Sequence, residues 1–238
     1  MSSNGSVTYK YLGHSTFLFT TPAGKKLLID PWVKSNPACP EADKNIESLD
    51  TMLITHGHFD HFHDAVDLAK SHRPQIGCTF EIGNWLQRKG AENVNPMNKG
   101  GTQKLNDVRV TMVDARHSCG ITEEGGAVIY GGEAAGYVVE FENGFRIYHA
   151  GDTAVFGDMK IIAELYPPNL IFLPIGDLFT MGPKEAAYAC RLMGAKKVVP
   201  MHYGTFPPLV GTPEELRRLT KDLGTEVIAI RPGETRTQ

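Results

Sequence analysis

Residues 53–64 read LITHGHFDHFHD, four histidines and two aspartates directly behind an apolar pair. The preceding TMLIT is a run of apolar and β-branched residues, the pattern of a short buried strand. The following DAVDLAKSH places Ala65, Leu68 and Ala69 at helical spacing. A strand therefore delivers the loop and a helix receives it, so both ends are anchored by rigid elements. His56 and His58 stand one residue apart, and an extended backbone sends both rings to the same side, while Asp60 and His61 follow where the chain turns. Imidazole binds zinc, iron, nickel or copper through a neutral ring nitrogen, and carboxylates add hard oxygen ligands. So many polar groups at a core edge cost stability unless something binds them, and the residue types point to metal.

On the N-terminal side of this loop, VTYKYLG, STFLF and KLLIDPW are separated by turn signals and read as antiparallel strands. Residues 34–50, with two prolines and no periodicity, read as an irregular loop. After the loop and its helix come a strand at IGCTF and a helix at EIGNWLQRKG. The middle returns to strands, VRVTMVDA, GYVVEF and FRIYHA, the last two joined by the Glu142, Asn143, Gly144 turn. Residues 120–136 are glycine-rich, lack a phosphate-loop pattern and read as a long loop or ribbon. The last third alternates: a helix near 156–165, LIFLPIG, a helix from Pro183 to Met193, KKVVPMH, a helix from Pro213 to Leu223, and EVIAI. A meander followed by β/α alternation thus occurs twice. That order predicts an α/β protein of two similar halves whose sheets pack face to face with helices outside.

The chain has 238 residues, 41% of them hydrophobic, enough for one large domain spanning 1–238. A net charge of −3 shows none of the basic excess of a nucleic-acid surface. No apolar run approaches the roughly 18 to 20 residues of a membrane span, and MSSNGSVTYK is no signal peptide, so a soluble cytoplasmic protein is expected, without nucleic-acid or membrane partners. Cys39, Cys78, Cys119 and Cys190 are scattered without a CxxC pair, which suggests neither a disulfide framework nor a cysteine zinc site. Self-association, common among soluble enzymes, is slightly favoured.

The intact His-x-His-x-Asp-His of His56, His58, Asp60 and His61 resembles the signature of the metallo-β-lactamase superfamily, and His117, Asp152 and His202 stand in the order of its later ligands. The resemblance, over roughly residues 7 to 230, implies a four-layer αβ/βα sandwich of two mixed sheets with a binuclear site between the halves. It makes His56, His58 and His117 ligands of one metal, and Asp60, His61 and His202 ligands of the other, with Asp152 bridging. LGHSTFLF followed by IDPW is similar to the UlaG-like hydrolases, which include L-ascorbate-6-phosphate lactonase. Flavodiiron-like redox members usually carry Glu at the position of His58 and a flavodoxin domain, so a redox role is disfavoured. Two divalent ions can share a water and lower its pKa to near neutral, giving hydroxide as the nucleophile. Zinc is the default, with manganese, iron, nickel and cobalt also accepted by such ligands. Asp60 would orient the hydroxide and take its proton.

Other positions stay open. His14 is either a strand-end histidine or a site residue, as a partner of a ligand or as a substrate contact able to protonate a leaving group. His63 reads as a solvated helix start, and His149, of opposite strand parity to Asp152, as a hydrogen-bonded core residue. Asp30 either caps the Asp-Pro turn or accepts the second ring proton of a ligating histidine. Cys119 and Tyr203 are candidate pocket residues, each with a packing role as the alternative. The expected activity is metal-dependent hydrolysis of an ester, lactone or related acyl bond in a small anionic metabolite. Phosphodiester or nucleic-acid hydrolysis at the same centre is the alternative, and a non-catalytic metal-binding or sensing module comes third.

Overall fold

Apolar residues on both faces of a short strand require a sheet covered on both sides, and the strands here carry that pattern. Leu27 and Ile29 face one layer while Leu28 between them faces another, and Phe172 is likewise opposed by Ile171 and Leu173. The computed structural model of the protein describes residues 5–238. Within them the first sheet contains β1 (Thr8–Tyr11), β2 (Phe17–Thr20), β3 (Lys26–Ile29), β4 (Thr51–Leu53), β5 (Gln75–Thr79) and β6 (Val94–Met97). The second contains β7 (Thr102–Leu105), β8 (Val108–Asp114), β11 (Ala135–Glu140), β12 (Arg146–His149), β13 (Leu170–Pro174), β14 (Lys197–Met201) and β15 (Glu226–Val227). The ribbon β9 (Gly120–Thr122) and β10 (Val128–Tyr130) stands apart from both, and β16 (Thr235–Thr237) returns to pair with β1.

Both seven-stranded sheets are mixed and share one plan. In the first, β16, β1, β2 and β3 are antiparallel neighbours and β3 to β6 are parallel. In the second, β7, β8, β11 and β12 are antiparallel and β12 to β15 are parallel. The sheets face each other across an aromatic layer in which the Phe172 ring meets Tyr9 at 5.5 Å, Phe17 at 4.7 Å and Phe19 at 5.6 Å. Truncating Phe172 to Ala there would cost about 3–5 kcal/mol.

The parallel crossovers supply the outer layers. After the single turn α1 (Phe59–Phe62), helices α2 (Ala65–His72) and α3 (Phe80–Arg88) cover the first sheet with Leu68, Ile82 and Leu86. Helices α4 (Met159–Leu165), α5 (Pro183–Met193) and α6 (Pro213–Leu219) cover the second with Ile162, Ala186, Cys190 and Leu216. Their ends follow from sequence. α5 starts on Pro183 and stops at Gly194, whose φ of 58° suits a residue without Cβ. α6 starts with Thr212 Oγ1 accepting from Glu215 N at 3.2 Å, ahead of Pro213.

The α/β sandwich is therefore the expected one, with local differences. The helix from Pro213 ends at Leu219 and continues only as a 3-10 turn at Lys221–Leu223, because the Thr220 hydroxyl donates back to Leu216 O and loosens the register. EVIAI is strand only at Glu226–Val227, since the chain then leaves the sheet edge and drops Ile230 into the layer between the sheets. β6, β7 and β16 lacked the expected apolar alternation. Pro96 is tolerated in β6 because that strand is an edge. No helix among the described residues is long and apolar enough to cross a membrane.

Candidate metal centre

Several strands end at one edge of the sandwich, and each hands a side chain to the same place. His14 follows β1, Asp30 follows β3, residues 56–61 follow β4, His117 follows β8, Asp152 follows β12 and His202 follows β14. Three of these residues bend the chain at once with a left-handed backbone, φ 59° at His14, 55° at Asp30 and 55° at His202. For residues with a Cβ that conformation costs about 1–3 kcal/mol each and persists where the surroundings impose it. His202 N donates to His14 O at 2.8 Å, tying the two sheets together at the site. Gly151, with φ 61°, precedes Asp152 because a Cβ there would sit 2.8 Å from both Ala135 O and Thr55 Cβ.

Ligand-type atoms converge in three overlapping groups: His56, His58 and His117; His56, His61 and Asp152; and His14, Asp60, His61 and His202, each within 4.8 Å. In the first, His56 Nε2 lies 3.0 Å and His117 Nε2 3.2 Å from His58 Nδ1. Asp152 Oδ2 lies centrally, 3.0 Å from His202 Nε2, 3.3 Å from His61 Nε2, 3.7 Å from His117 Nε2 and 3.9 Å from His56 Nε2. The 3.0 Å approach to His202 lacks hydrogen-bond alignment. His61 Nε2, His202 Nε2 and Asp152 Oδ1 are buried without a hydrogen-bond partner. Buried polar atoms are ordinarily paired, so this set of inward-facing nitrogen and oxygen atoms fits a bound cation.

Asp30, fully buried, holds the ring orientations. Its Oδ1 accepts from Thr55 N at 2.8 Å, and its Oδ2 accepts from Thr55 Oγ1 at 2.9 Å and from His61 Nδ1 at 2.8 Å. Thr55 Oγ1, having given its proton to Asp30, is free to accept from His56 Nδ1 at 3.0 Å. One carboxylate thereby leaves the Nε2 lone pairs of both His56 and His61 aimed into the site.

Burial lowers the pKa of His14 to about 4, so this ring is neutral near pH 7. Its Nε2 is 2.9 Å from Asp60 Oδ2 and its Nδ1 is 3.0 Å from Thr205 Oγ1. An ionised Asp60 can only accept, so Nε2 carries the proton and Nδ1 accepts from the threonine. Burial alone would raise the Asp60 carboxyl, yet His61 and the His14 hydrogen bond hold it well below the usual carboxylate range. In the protein without ions, burial opposes a charge on His61 and His202, but the Asp152 carboxylate wins, raising His61 well above its ordinary value and His202 to about 9.

A cavity of about 620 Å³ opens over the cluster. His58, Asp60, His117, Asp152 and His202 reach it, and Phe59, Phe179, Phe206, Pro207 and Pro208 wall it. Another depression, of about 410 Å³, lies between the 34–50 loop and α2 and includes none of the clustered histidines.

All seven positions with ligand counterparts thus lie together. His14 is near them but is fully buried and does not line the cavity. Cys119 and Tyr203 do not line it either: the Cys119 thiol, buried, donates to Gly131 O, and Tyr203 packs with the core beneath α4–α6. His63 is exposed beside α1. His149 is buried, donating from Nε2 to Ser15 O at 3.1 Å and accepting from Gly151 N at 3.2 Å, a core histidine that braces both sides of the site. Sequence reasoning passed over Thr55, Thr205 and the aromatic wall. The signal it could have used is TFPPL, an aromatic and two prolines just after His202.

The two facing sheets, with a histidine and aspartate cluster at their common edge, define a metal-site sandwich of the metallo-β-lactamase fold. A family model described as the Beta-lactamase superfamily domain matches residues 25–203. A UPF0173 metal-dependent hydrolase of Koribacter versatilis (strain Ellin345) is 56% identical over 94% of this chain and 95% of its own. One from Methanosarcina barkeri is 44% identical, covering 96% and 97%. Igni18, a metallo hydrolase from the hyperthermophilic archaeon Ignicoccus hospitalis KIN4/I, has 33% identity and a TM-score of 0.87 over 98% of both chains. The chain belongs to the metallo-β-lactamase superfamily and, within it, to the UPF0173 metal-dependent hydrolase family. The UlaG-like grouping stays an expectation beside these matches.

Proposed function

We propose that this protein is a metal-dependent hydrolase that opens an ester, lactone or related acyl bond of a small molecule at the cluster. The observation that carries this reading is the set of buried, unpartnered His61, His202 and Asp152 atoms, the last two of these residues at the floor of an open cavity. A closed structural site would be sealed by protein groups. His56, His58 and His117 would hold one ion, Asp60, His61 and His202 a second, and Asp152 would reach both, with zinc as the default. Bound divalent ions supply Lewis acidity toward the acyl oxygen and a water of near-neutral pKa. Asp60, fixed by the His14 hydrogen bond, would orient that water and accept its proton. Asp30 and Thr55 keep the ring lone pairs inward throughout.

The expected anionic metabolite gains no support from the cavity, which no Lys or Arg lines. Apart from the ions themselves, the lining offers no Lys or Arg to track the phosphates of a nucleic-acid strand. The test is a screen of zinc- and manganese-loaded protein against esters, lactones, thioesters and phosphodiesters. Acyl cleavage abolished by chelation is the expected result, and cleavage of phosphodiesters alone would overturn the reading.

A further inference from the structure

The cavity wall is more specific than the reaction needs. Phe206 lies nearly parallel to Trp32 (ring centroids 5.9 Å apart, 24° between planes), and Phe59 meets Trp32 edge-on at 5.8 Å. Trp32 itself is 2% exposed and pinned by its indole donating to Ser35 Oγ at 2.8 Å, so the wall has a rigid backing. Asp177 and Leu178 take consecutive left-handed conformations, φ 69° and 53°, in the loop that brings Phe179 to the same cavity. Phe59 and Phe179 are 57% and 59% exposed, and both border the same opening above Asp60 and Asp152. Single exposed apolar residues are ordinary, but several aromatic rings converging on a reactive floor form a site for an apolar group. With no Lys or Arg in the lining, a second anionic group on the substrate would be stripped of water without a counter-charge, at a heavy cost.

Building on the acyl-hydrolase reading above, we propose that the substrate is an uncharged acyl compound carrying an aliphatic chain or aromatic ring, which packs against Phe206, Phe59 and Phe179. Hydrolysis would add water across its acyl bond, releasing the carboxylic acid and the alcohol or thiol.

The test measures binding apart from turnover. Zinc-loaded protein is titrated calorimetrically with neutral alkyl hydroxamates lengthening from acetyl to octanoyl, and with counterparts ending in a carboxylate. Each added methylene should tighten binding about three- to fourfold until the cavity is full, the value of burying one methylene. The carboxylate-ended series should lose that gain. Phe206→Ser and Phe179→Ser should flatten the slope, and Phe179, on an exposed loop, can be changed without threatening the core. A flat slope in the wild type, or tighter binding of the carboxylate-ended series, overturns the proposal. So does an unchanged slope in both variants with an altered sedimentation coefficient, which would make the wall a contact between copies of the chain. The nitrophenyl esters of the same acids, run in parallel, separate the two readings. A steep binding slope without any ester turnover supports the apolar subsite and overturns only the hydrolase reading.

Discussion

Replacing Asp30 with Asn should weaken metal binding although residue 30 is not itself a ligand. The carboxylate accepts three hydrogen bonds, one at Oδ1 from Thr55 N and two at Oδ2 from Thr55 Oγ1 and His61 Nδ1. An amide has one oxygen, so either orientation sets an N–H against a donor. If the oxygen stays on Thr55 N, the amide nitrogen faces His61 Nδ1. The ring can then accept only by moving its proton to Nε2, into the position where the lone pair must meet a cation. If the amide is flipped, its nitrogen meets the buried Thr55 N. Disturbing a partner of this kind costs about 10- to 100-fold in metal affinity, or about 1.4–2.8 kcal/mol. The ion-free protein should lose about 1–3 kcal/mol of stability from the mispaired buried donor. Chelator competition with zinc gives the first figure and urea unfolding of the stripped protein the second. Ring nitrogen chemical shifts report where the His61 proton sits. An Asn variant with wild-type affinity and the proton still on Nδ1 would refute the reasoning.

Other outcomes follow from the same geometry. Asp60→Asn should lower turnover more than metal content, since an amide keeps a ligand oxygen but takes no proton, and elemental analysis beside an activity assay reads both. His14→Ala should weaken metal affinity about 10- to 100-fold, with activity returning in excess metal, because His14 touches Asp60 rather than the cavity. A loss of turnover that excess metal does not rescue would instead mark His14 as a proton donor. In the stripped protein, His61 and His202 have raised pKa values, so their stabilising charge is fully present below pH 6.5 and is lost as pH rises, for His202 through about 9. Metal loading at pH 7 should therefore release about two protons, measured by calorimetry in buffers of different ionisation enthalpy. Burial raises Cys39 and Cys119 to about 11 and Cys190 to about 12, and Cys78 higher still, so all four thiols should resist an aromatic disulfide reagent at pH 8 until the protein is unfolded.

The strands and helices that build the inner layers were legible because their alternation is strong: Leu27, Leu28 and Ile29 each have a fixed destination, and the α5 limits at Pro183 and Gly194 are written in residues with one conformational use. The edges were not. Thr235–Thr237 is polar and exposed, and what makes it a strand is the open edge of β1, more than two hundred residues away. The site divides in the same way. His56, His58, Asp60 and His61 are local in sequence, and His117, Asp152 and His202 follow strand ends that can be read from pattern. Asp30 was open between capping a turn and holding a histidine, and only the third dimension shows that it meets His61 and Thr55. Cys119 and Tyr203 adjoin ligands in sequence, yet their side chains lead away from the cavity. Phe59 opens α1 while Phe179 and Phe206 come from two separate loops, and nothing in their spacing announces that they line one cavity.

The pairing of β16 with β1 bears on how the chain is made. During synthesis β1, β2 and β3 emerge early and can zip into a meander, but the outer edge of β1 stays bare until residues 235–237 have left the ribosome. By then the second sheet has been made, and Ile230 must be laid between the sheets on the way back. The nascent chain thus carries an open strand edge for most of its translation, the kind of surface on which neighbouring chains pair wrongly. Yield in rapid overexpression should depend on residues 228–237 more than their slight share of the core suggests. Slowing translation or supplying a chaperone that shields strand edges should recover soluble protein from changes in that segment.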